Sequence, residues 1–268
     1  MIKLEKESYD SIYGLYQSSE LFFPLIASVL LDEQDGAVYV DDSNAPSQAY
    51  VEHAFGFAQV FGKPGEEFEQ KLERYLLVDR LFVPDKVRLY APYLPGFLKS
   101  HKYEPLRSYR QRFCISPESF SYDRSIVTGT ENDTDLCNPD AIDISLIDSK
   151  FGVVSRFWRT PDDFIHKSNA TVVLHKGVPA AICYSAAQAD NRVEIDVLTL
   201  PEYRNRGLAR HAVVAFVKRC FSLSLRPLWD CFTNNAGSMR LCQSVGFVAA
   251  KTPYPFFTIS KVSPIADD

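Results

Sequence analysis

The order of elements along the chain predicts an α/β (α+β) fold, in which strands and helices alternate and a mixed central sheet is flanked by helices. Runs with strand-like and helix-like spacing alternate in both halves, and a polar, turn-rich stretch separates them. The composition, 46% hydrophobic and 24% charged residues, is typical of a folded globular chain. At 268 residues the chain is long enough for one large domain or two of ordinary size. We therefore expect two α/β parts.

The first part, residues 1–115, is predicted to be an amino-terminal α/β extension. Its opening 35 residues have few turn signals before residues 32–36, so they are predicted to be helical. The pattern then predicts strands at 37–40 and 49–61, a helix at 66–78, a strand at 87–90, a short helical piece at 93–101 and a strand at 106–115.

Residues 116–138 are polar and are predicted to be a linker or long loop, which leaves residues 139–268 as the second domain. Thr160, followed by Asp163, predicts a capped helix start, and Lys176-Gly177 predicts a hairpin turn. The predicted elements are helices at 139–151 and 160–167, a hairpin at 170–187, a strand at 192–200, a helix at 207–221, a strand at 227–232, a helix at 236–245 and a strand at 247–259.

Composition also narrows the classes of function. The net charge of -5 disfavours a nucleic-acid reader, which usually carries a basic stripe. No apolar run is long enough for a membrane span, and no secretory leader opens the sequence, so we expect a cytoplasmic protein whose six cysteines are reduced and mostly buried. Close Cys/His pairs and phosphate-loop glycine motifs do not occur, so neither a metal nor a nucleotide-phosphate enzyme is expected.

Residues 193–210 contain the strongest functional pattern. A strand runs into a polar turn, Arg204-Asn205-Arg206, and Gly207 opens an amphipathic helix. The unpaired N–H groups of such a turn and of the first helical turn together form an anion site that suits a pyrophosphate. Gly207 has no Cβ to block an oxyanion, and the two arginines add positive charge. Arg-x-x-Gly-x-Ala alone is a weak signal, but the strand–turn–helix context strengthens it.

This combination resembles the GNAT superfamily of acyl-coenzyme A-dependent N-acetyltransferases over residues 139–260. The family signature Gln/Arg-x-x-Gly-x-Gly/Ala corresponds to Arg204 through Ala209, and a closing pattern corresponds to Asn235, Ser238 and Gly246-Phe247. The stretches GAVYVDDSNAP and VFGKPGEEF in the first half are similar to the long amino-terminal extension of one subgroup.

The resemblance implies a protein that transfers acetyl from acetyl-CoA to a primary amine, with a small-molecule amine preferred as acceptor. The pantetheine arm would bond to the backbone of the strand, and the pyrophosphate to the N–H groups of the turn. Asn235 and Ser238 would meet the cofactor at the exit of the next strand. The implied cofactor-binding residues are Val197, Leu198, Thr199, Arg204, Asn205, Arg206, Gly207, Leu208, Ala209, Asn235 and Ser238.

The candidate catalytic residues are Glu194 and Asp196. Two residues apart on a strand, they share one face, while Val193, Ile195 and Val197 share the apolar one. Two carboxylates in a partly buried cleft repel each other, which favours one of them as a base. Many GNAT enzymes place a catalytic Glu on this strand, so the resemblance puts Glu194 first and Asp196 second. The alternative is that both belong to a solvated strand face.

The proton donor to the leaving thiolate is left open. Many family members have a Tyr where this chain has Cys242, which we expect to pack in the helix. Water or another residue would then protonate the thiolate, and Tyr184, Tyr203 and Tyr254 are unranked substitutes. A covalent route through Cys231 or Cys242 with His211 is disfavoured, because spacing gives no sign of contact.

Two alternatives to an enzyme remain: a non-catalytic CoA-binding sensor or interaction module, and a partner-binding first half with the second half as scaffold. We hypothesise that the first half is a degenerate GNAT-like copy, because it repeats the strand–helix order without the Arg-x-x-Gly-x-Gly/Ala turn. The identity of the acceptor and the oligomeric state are not encoded in any pattern of the sequence.

Overall fold

The computed structural model describes residues 1–19, 21–120 and 133–262. It forms two compact units. The first unit comprises Met1–Arg110 together with the described residues from Pro253 onward, and the second unit is Gln111–Thr252. The chain therefore enters the second unit at Gln111 and leaves it at Thr252.

These bounds differ from the predicted ones at both ends of the second domain. The last strand pairs with strands of the first unit, so it belongs there rather than with residues 139–268. Of the predicted linker 116–138, residues 121–132 lie outside the described part, and Thr134–Cys137 forms a strand.

The elements are numbered in chain order. The strands are β1 (Ile2–Lys3), β2 (Gly36–Val40), β3 (Gln48–His53), β4 (Phe57–Gly62), β5 (Lys86–Tyr90), β6 (Arg107–Cys114), β7 (Thr134–Cys137), β8 (Thr171–His175), β9 (Val178–Ala189), β10 (Arg192–Thr199), β11 (Arg226–Phe232), β12 (Val248–Ala249) and β13 (Tyr254–Ser260). The α-helices are α1 (Asp10–Gln17), α2 (Pro24–Leu30), α3 (Glu66–Glu73), α4 (Ile144–Phe151), α5 (Val154–Phe157), α6 (Pro161–Lys167), α7 (Leu208–Ser222) and α8 (Ala236–Val245).

In the first unit the strand order is β1-β2-β3-β4-β5-β13-β6. The β4–β5 pair is parallel and is connected through α3, whereas β13 runs antiparallel to both β5 and β6. Leu72 of α3, Leu89 of β5 and Phe257 of β13 are fully buried in one apolar cluster. The cluster therefore contains side chains from both ends of the sequence.

In the second unit the strand order is β6-β11-β10-β9-β8-β7, with β12 paired to β6. The β10–β11 pair is parallel and is connected through α7, whose Val213 and Phe216 are buried with Cys183 of β9. Tyr184, the next residue of β9, contacts the rings of Phe157 and Phe164 from α5 and α6. Because successive side chains of a strand point to opposite faces, helices cover both faces of this sheet. The predicted mixed sheet flanked by helices is confirmed.

Local turn chemistry confirms two predictions. The Thr160 side chain accepts a hydrogen bond from the Asp163 N–H at 3.0 Å, and it caps α6. Lys176 and Gly177 have φ of 53° and 76°, as a tight hairpin between β8 and β9 requires. All six cysteines are free thiols, and none of the described helices is long and apolar enough to cross a membrane.

Four predicted elements are interrupted in the structure. The helix predicted at 139–151 is a 3-10 turn, Pro139–Ala141, followed by α4. The opening 35 residues, predicted to be helical, contain the strand β1 as well as the helices α1 and α2. The strand predicted at 49–61 is two strands, β3 and β4, separated by residues 54–56, where Gly56 has a φ of 90°. The strand predicted at 247–259 is divided into β12 and β13, whose partners lie in different units.

Candidate cofactor and active site

The strands β10 and β11 separate along their length and leave an open backbone edge. Their parallel pairing runs from Arg192 opposite Arg226 to Glu194 opposite Leu228 and stops there. On its other side β10 stays paired with β9 as far as Thr199 opposite Ala181. The edge of residues 195–199 that faces β11 is thus outside the ladder, which suits the predicted backbone contacts of Val197, Leu198 and Thr199.

The turn after β10 positions the start of α7. Arg204 is extended, with φ of −66° and ψ of 159°, while Asn205 and Gly207 have φ of 61° and 77°. A Cβ built on Gly207 would meet nothing within 4 Å. Glycine is therefore favoured here by the backbone conformation, and the space in front of it is open to a ligand.

The amino terminus of α7 has free donor capacity. The first hydrogen bond of the helix joins the His211 N–H to the Gly207 carbonyl oxygen at 3.1 Å, so the N–H groups of Leu208 and Ala209 lie ahead of it. Gly207 offers no side chain to cap them. By contrast, side chains cap α4, α6 and α8, namely Asp143, Thr160 and Asn235. An anion is the natural partner of the uncapped end.

Arg204 and Arg206 bring positive charge to the same turn. The Arg204 Nε donates to the Thr199 carbonyl oxygen at 3.3 Å, and the Arg206 guanidinium lies 5.6 Å from the centre of the Tyr203 ring. Both arginines are exposed. Their charges are thus available to a phosphate at the turn. Leu208, also predicted as a cofactor contact, is 1% exposed, so only its backbone can serve.

Asn235 and Ser238 already have structural partners. The Asn235 Oδ1 accepts from the Ser238 N–H at 3.0 Å, which caps α8, and the Ser238 Oγ accepts from the Trp229 Nε1 at 3.0 Å. Both follow the carboxyl end of β11. Their contact with a cofactor stays a prediction.

Glu194 lies in a buried ionic cluster. Glu194 is 5% exposed, and its Oε1 is 3.9 Å from the Nη2 of Arg112. The Nε of Arg112 donates to the Oδ2 of Asp230 at 3.0 Å, and the side chains of Arg112 and Asp230 are 4% and 1% exposed. Arg112 is not among the predicted site residues, because no local sequence pattern marks a partner from another strand.

Asp196 is more accessible, with its side chain 33% exposed. Its Oδ2 accepts from the Tyr184 hydroxyl at 2.6 Å and lies 3.3 Å from the Nη1 of Arg156. Its Oδ1 accepts from the Val197 N–H at 2.9 Å. The pairing of β10 with β11 ends at Glu194, so Asp196 belongs to the part of β10 whose backbone edge is open.

The predicted division of β10 into an apolar face and a face with the two carboxylates is correct, but the predicted repulsion between these carboxylates is wrong. Val193 is in the core under α7, with Ile195 and Val197 packed against it. Glu194 and Asp196, however, each face a guanidinium of their own. Mutual repulsion of two carboxylates therefore does not describe this pair.

The predicted proton donors differ in their environments. Cys242 is fully buried, its Sγ donates to the Met239 carbonyl oxygen at 3.2 Å, and burial raises its pKa to about 12. This confirms that Cys242 packs in the helix, and it argues against a covalent role. Burial, followed by the charge of Asp196, raises the pKa of Tyr184 well above its usual value. Tyr203 lies at the turn, and Tyr254 belongs to the first unit.

Among the described residues, no group of three or more His, Cys, Asp or Glu side chains could hold a metal ion.

Comparison with known proteins identifies the family. A family model described as GNAT acetyltransferase matches residues 20–257. The uncharacterized N-acetyltransferase YdfB of Bacillus subtilis (strain 168) is 25% identical over 261 residues, which cover 91% of this chain and 94% of YdfB.

Solved structures share the fold. A GCN5-related N-acetyltransferase-like protein from Streptococcus suis superposes with a TM-score of 0.66 at 18% identity, covering 95% of this chain and 99% of its own. A tandem GNAT protein from the clavulanic acid biosynthesis pathway superposes with a TM-score of 0.63 at 10% identity, covering 98% of this chain and 99% of its own. The tandem arrangement agrees with two α/β units in one chain. With its family match across most of its length, this chain belongs to the GNAT acetyltransferase family.

Proposed function

We propose that the protein transfers the acetyl group of acetyl-CoA to a primary amine of a small molecule. The observation that carries the proposal is the uncapped start of α7, preceded by Gly207 and adjoining the open edge of β10. The pyrophosphate would accept from the N–H groups of Leu208 and Ala209, with Arg204 and Arg206 balancing its charge. The pantetheine amides would pair with the free edge at residues 197–199, apart from the Val197 N–H, which donates to the Asp196 Oδ1.

Asp196 is our candidate for the group that receives the proton of the amine. An ammonium has no lone pair, so it must lose a proton before its nitrogen attacks the thioester carbonyl. As the C–N bond forms and the C–S bond breaks, the nitrogen loses a second proton, which can pass through water to the leaving thiolate. The Asp196 carboxylate is accessible, with its side chain 33% exposed, so it can bind the ammonium and accept its proton directly or through water. Glu194 is less suited, because it is buried against Arg112.

Tyr184 and Arg156 are positioning residues in this proposal. The Tyr184 hydroxyl and the Arg156 guanidinium both contact one oxygen of Asp196, and the Val197 N–H holds the other. These contacts fix the orientation of the carboxylate. A negative group at the cleft also attracts a cationic amine.

The test is acetyl-CoA-dependent release of free thiol over a panel of small primary amines. With an accepted amine, we expect Asp196→Asn to lower kcat/KM by roughly 10²- to 10⁴-fold, as for loss of a general base. Glu194→Gln, the matched amide variant two residues away, should keep most of the activity. Calorimetric titration with acetyl-CoA should give similar affinities for both variants, so that a loss of rate is not a loss of cofactor.

Wild-type rates in Asp196→Asn would contradict the assignment of the base. Binding of acetyl-CoA without turnover of any amine in the panel would favour the alternative, a CoA-binding sensor. If a folded protein bound no acetyl-CoA, the proposed function as a whole would be wrong.

A further inference from the structure

The first unit contains a cavity of about 310 Å³, which lies within the size range of small-molecule sites. We name it the β4–β5 gap. Its wall comes from the end of α1, from β4 and the residue after it, and from the segment after β5. The lining residues are Leu15, Ser18, Ser19, Gln59, Val60, Phe61, Gly62, Lys63, Pro92 and Tyr93.

The cavity lies along the edge of β4 rather than on a face of the sheet. The consecutive residues 59–63 all line it. Because successive side chains of a strand point to opposite faces, a cavity on one face would meet only every second residue. A run of consecutive residues in the lining therefore means that the backbone itself borders the cavity.

That edge of β4 is outside the ladder. The parallel pairing with β5 ends at Gln59 opposite Tyr90. On the other side β4 stays paired with β3, with Val60 opposite Tyr50 and Phe61 opposite Ala49. The backbone groups of residues 60–62 that face β5 can thus pair with an extended ligand, in the way that an added strand pairs with a sheet edge.

The turn after β4 is closed to phosphate, unlike the turn after β10. The Lys63 N–H donates to the Ser47 carbonyl oxygen at 2.8 Å, Pro64 has no N–H, and the Gly65 N–H donates to the Gln48 Oε1 at 2.8 Å. The donors of residues 63–65 are occupied or absent. The start of α3 has no side-chain cap, like that of α7, but its first turn carries Glu66, Glu67 and Glu69, whereas the first turn of α7 has no acidic residue. This negative charge opposes a nucleotide phosphate.

We propose that the β4–β5 gap binds a small linear molecule that carries amide groups and no phosphate. Its amides pair with the free edge of β4, and its apolar parts contact Leu15, Phe61 and Pro92. The Ser19 Oγ is buried at the wall without a hydrogen-bond partner among the described residues, and it supplies one more polar contact. This site is independent of acetyl transfer in the second unit.

Pantetheine is a suitable probe, because it is uncharged, linear and carries two amides. It is titrated by calorimetry into the full chain with Gly207→Glu, a change that obstructs the pyrophosphate position of the second unit but leaves the edge of β10 open, so the Ser19→Leu variant decides which unit holds the pantetheine. We expect pantetheine to bind, and we expect CoA, which adds the phosphates, to bind at least about tenfold more weakly.

Location is tested in the same background with Ser19→Leu, which fills the wall, and with Ser11→Leu as the control, at an exposed position of α1 outside the lining. Ser19→Leu should weaken pantetheine binding at least about tenfold, and Ser11→Leu should leave it unchanged. If Ser19→Leu unfolds, Ser18→Trp at an exposed lining position replaces it.

Three results would overturn the proposal: no binding of pantetheine to the folded Gly207→Glu protein, equal binding to the Ser11 and Ser19 variants, or binding of CoA as tight as that of pantetheine.

Discussion

The substitution Gly207→Ala, compared with Gly152→Ala, distinguishes the effect of backbone strain from the effect of a lost ligand contact. The residue has a φ of 77°, so alanine costs about 1–2 kcal/mol of folding free energy, while the Cβ meets no protein atom within 4 Å. Gly152, which ends α4, has a φ of 59° and also has nothing within 4 Å. Gly207→Ala and Gly152→Ala should therefore lower the thermal midpoint by similar amounts.

Their affinities for acetyl-CoA should differ. The methyl at Gly207 occupies the open space before the first N–H groups of α7, and it weakens charge-assisted hydrogen bonds worth about 1.5–3 kcal/mol. We expect a roughly ten- to hundredfold higher Kd for Gly207→Ala and an unchanged Kd for Gly152→Ala, both by calorimetric titration. Equal affinities in the two variants would refute the reasoning that places the pyrophosphate at this turn.

Other predictions concern buried groups. Arg112→Met leaves the buried carboxylates of Glu194 and Asp230 without this guanidinium, so the free energy of unfolding in urea should fall by about 3–5 kcal/mol. Adding Asp230→Asn should restore part of this loss. An unchanged urea midpoint in Arg112→Met would contradict the prediction. Burial lowers the pKa of His53 to about 4, against the opposing charge of Asp35, and its Nδ1 accepts a hydrogen bond from the Phe55 N–H at 2.9 Å. Between about pH 4 and about pH 6.5 the imidazole is protonated in the unfolded chain but not in the folded one. Stability therefore falls as the pH drops from about 6.5 towards 4, by up to roughly 3 kcal/mol. His53→Gln should flatten this pH dependence in unfolding curves measured across that range. Cys242→Ala should keep kcat within about tenfold of the wild type, whereas a general acid would contribute 10²-fold or more; a larger loss in the thiol-release assay would return Cys242 to the mechanism.

The features that sequence predicts well are local ones. The strand–turn–helix at residues 193–210 depends on backbone preferences of neighbouring residues, such as the positive φ at Gly207, and these preferences are visible in the sequence. The cap at Thr160 and the hairpin at Gly177 are predictable for the same reason. The interruption between β3 and β4 was missed, because apolar residues continue through it.

The partner of Asp196 could not be obtained by counting residues. The hairpin between β9 and β10 places Ala189 opposite Arg192, and regular counting from there would put Ser185 opposite Asp196. The register shifts between Glu194 and Ile195, so Tyr184 takes that position. A bulge of this kind has no signature in a single sequence, and it changes a serine neighbour into a tyrosine neighbour.

The return of the chain to the first unit has a consequence for synthesis. Strand β13 lies between β5 and β6, yet it follows every residue of the second unit. On the ribosome, the first unit stays without an interior strand until Tyr254–Ser260 has emerged, by which time all of Gln111–Thr252 has been translated. The unit whose synthesis begins first is therefore completed last. A stop codon at position 253 would remove β13 from the first unit but leave every residue of the candidate active site in place.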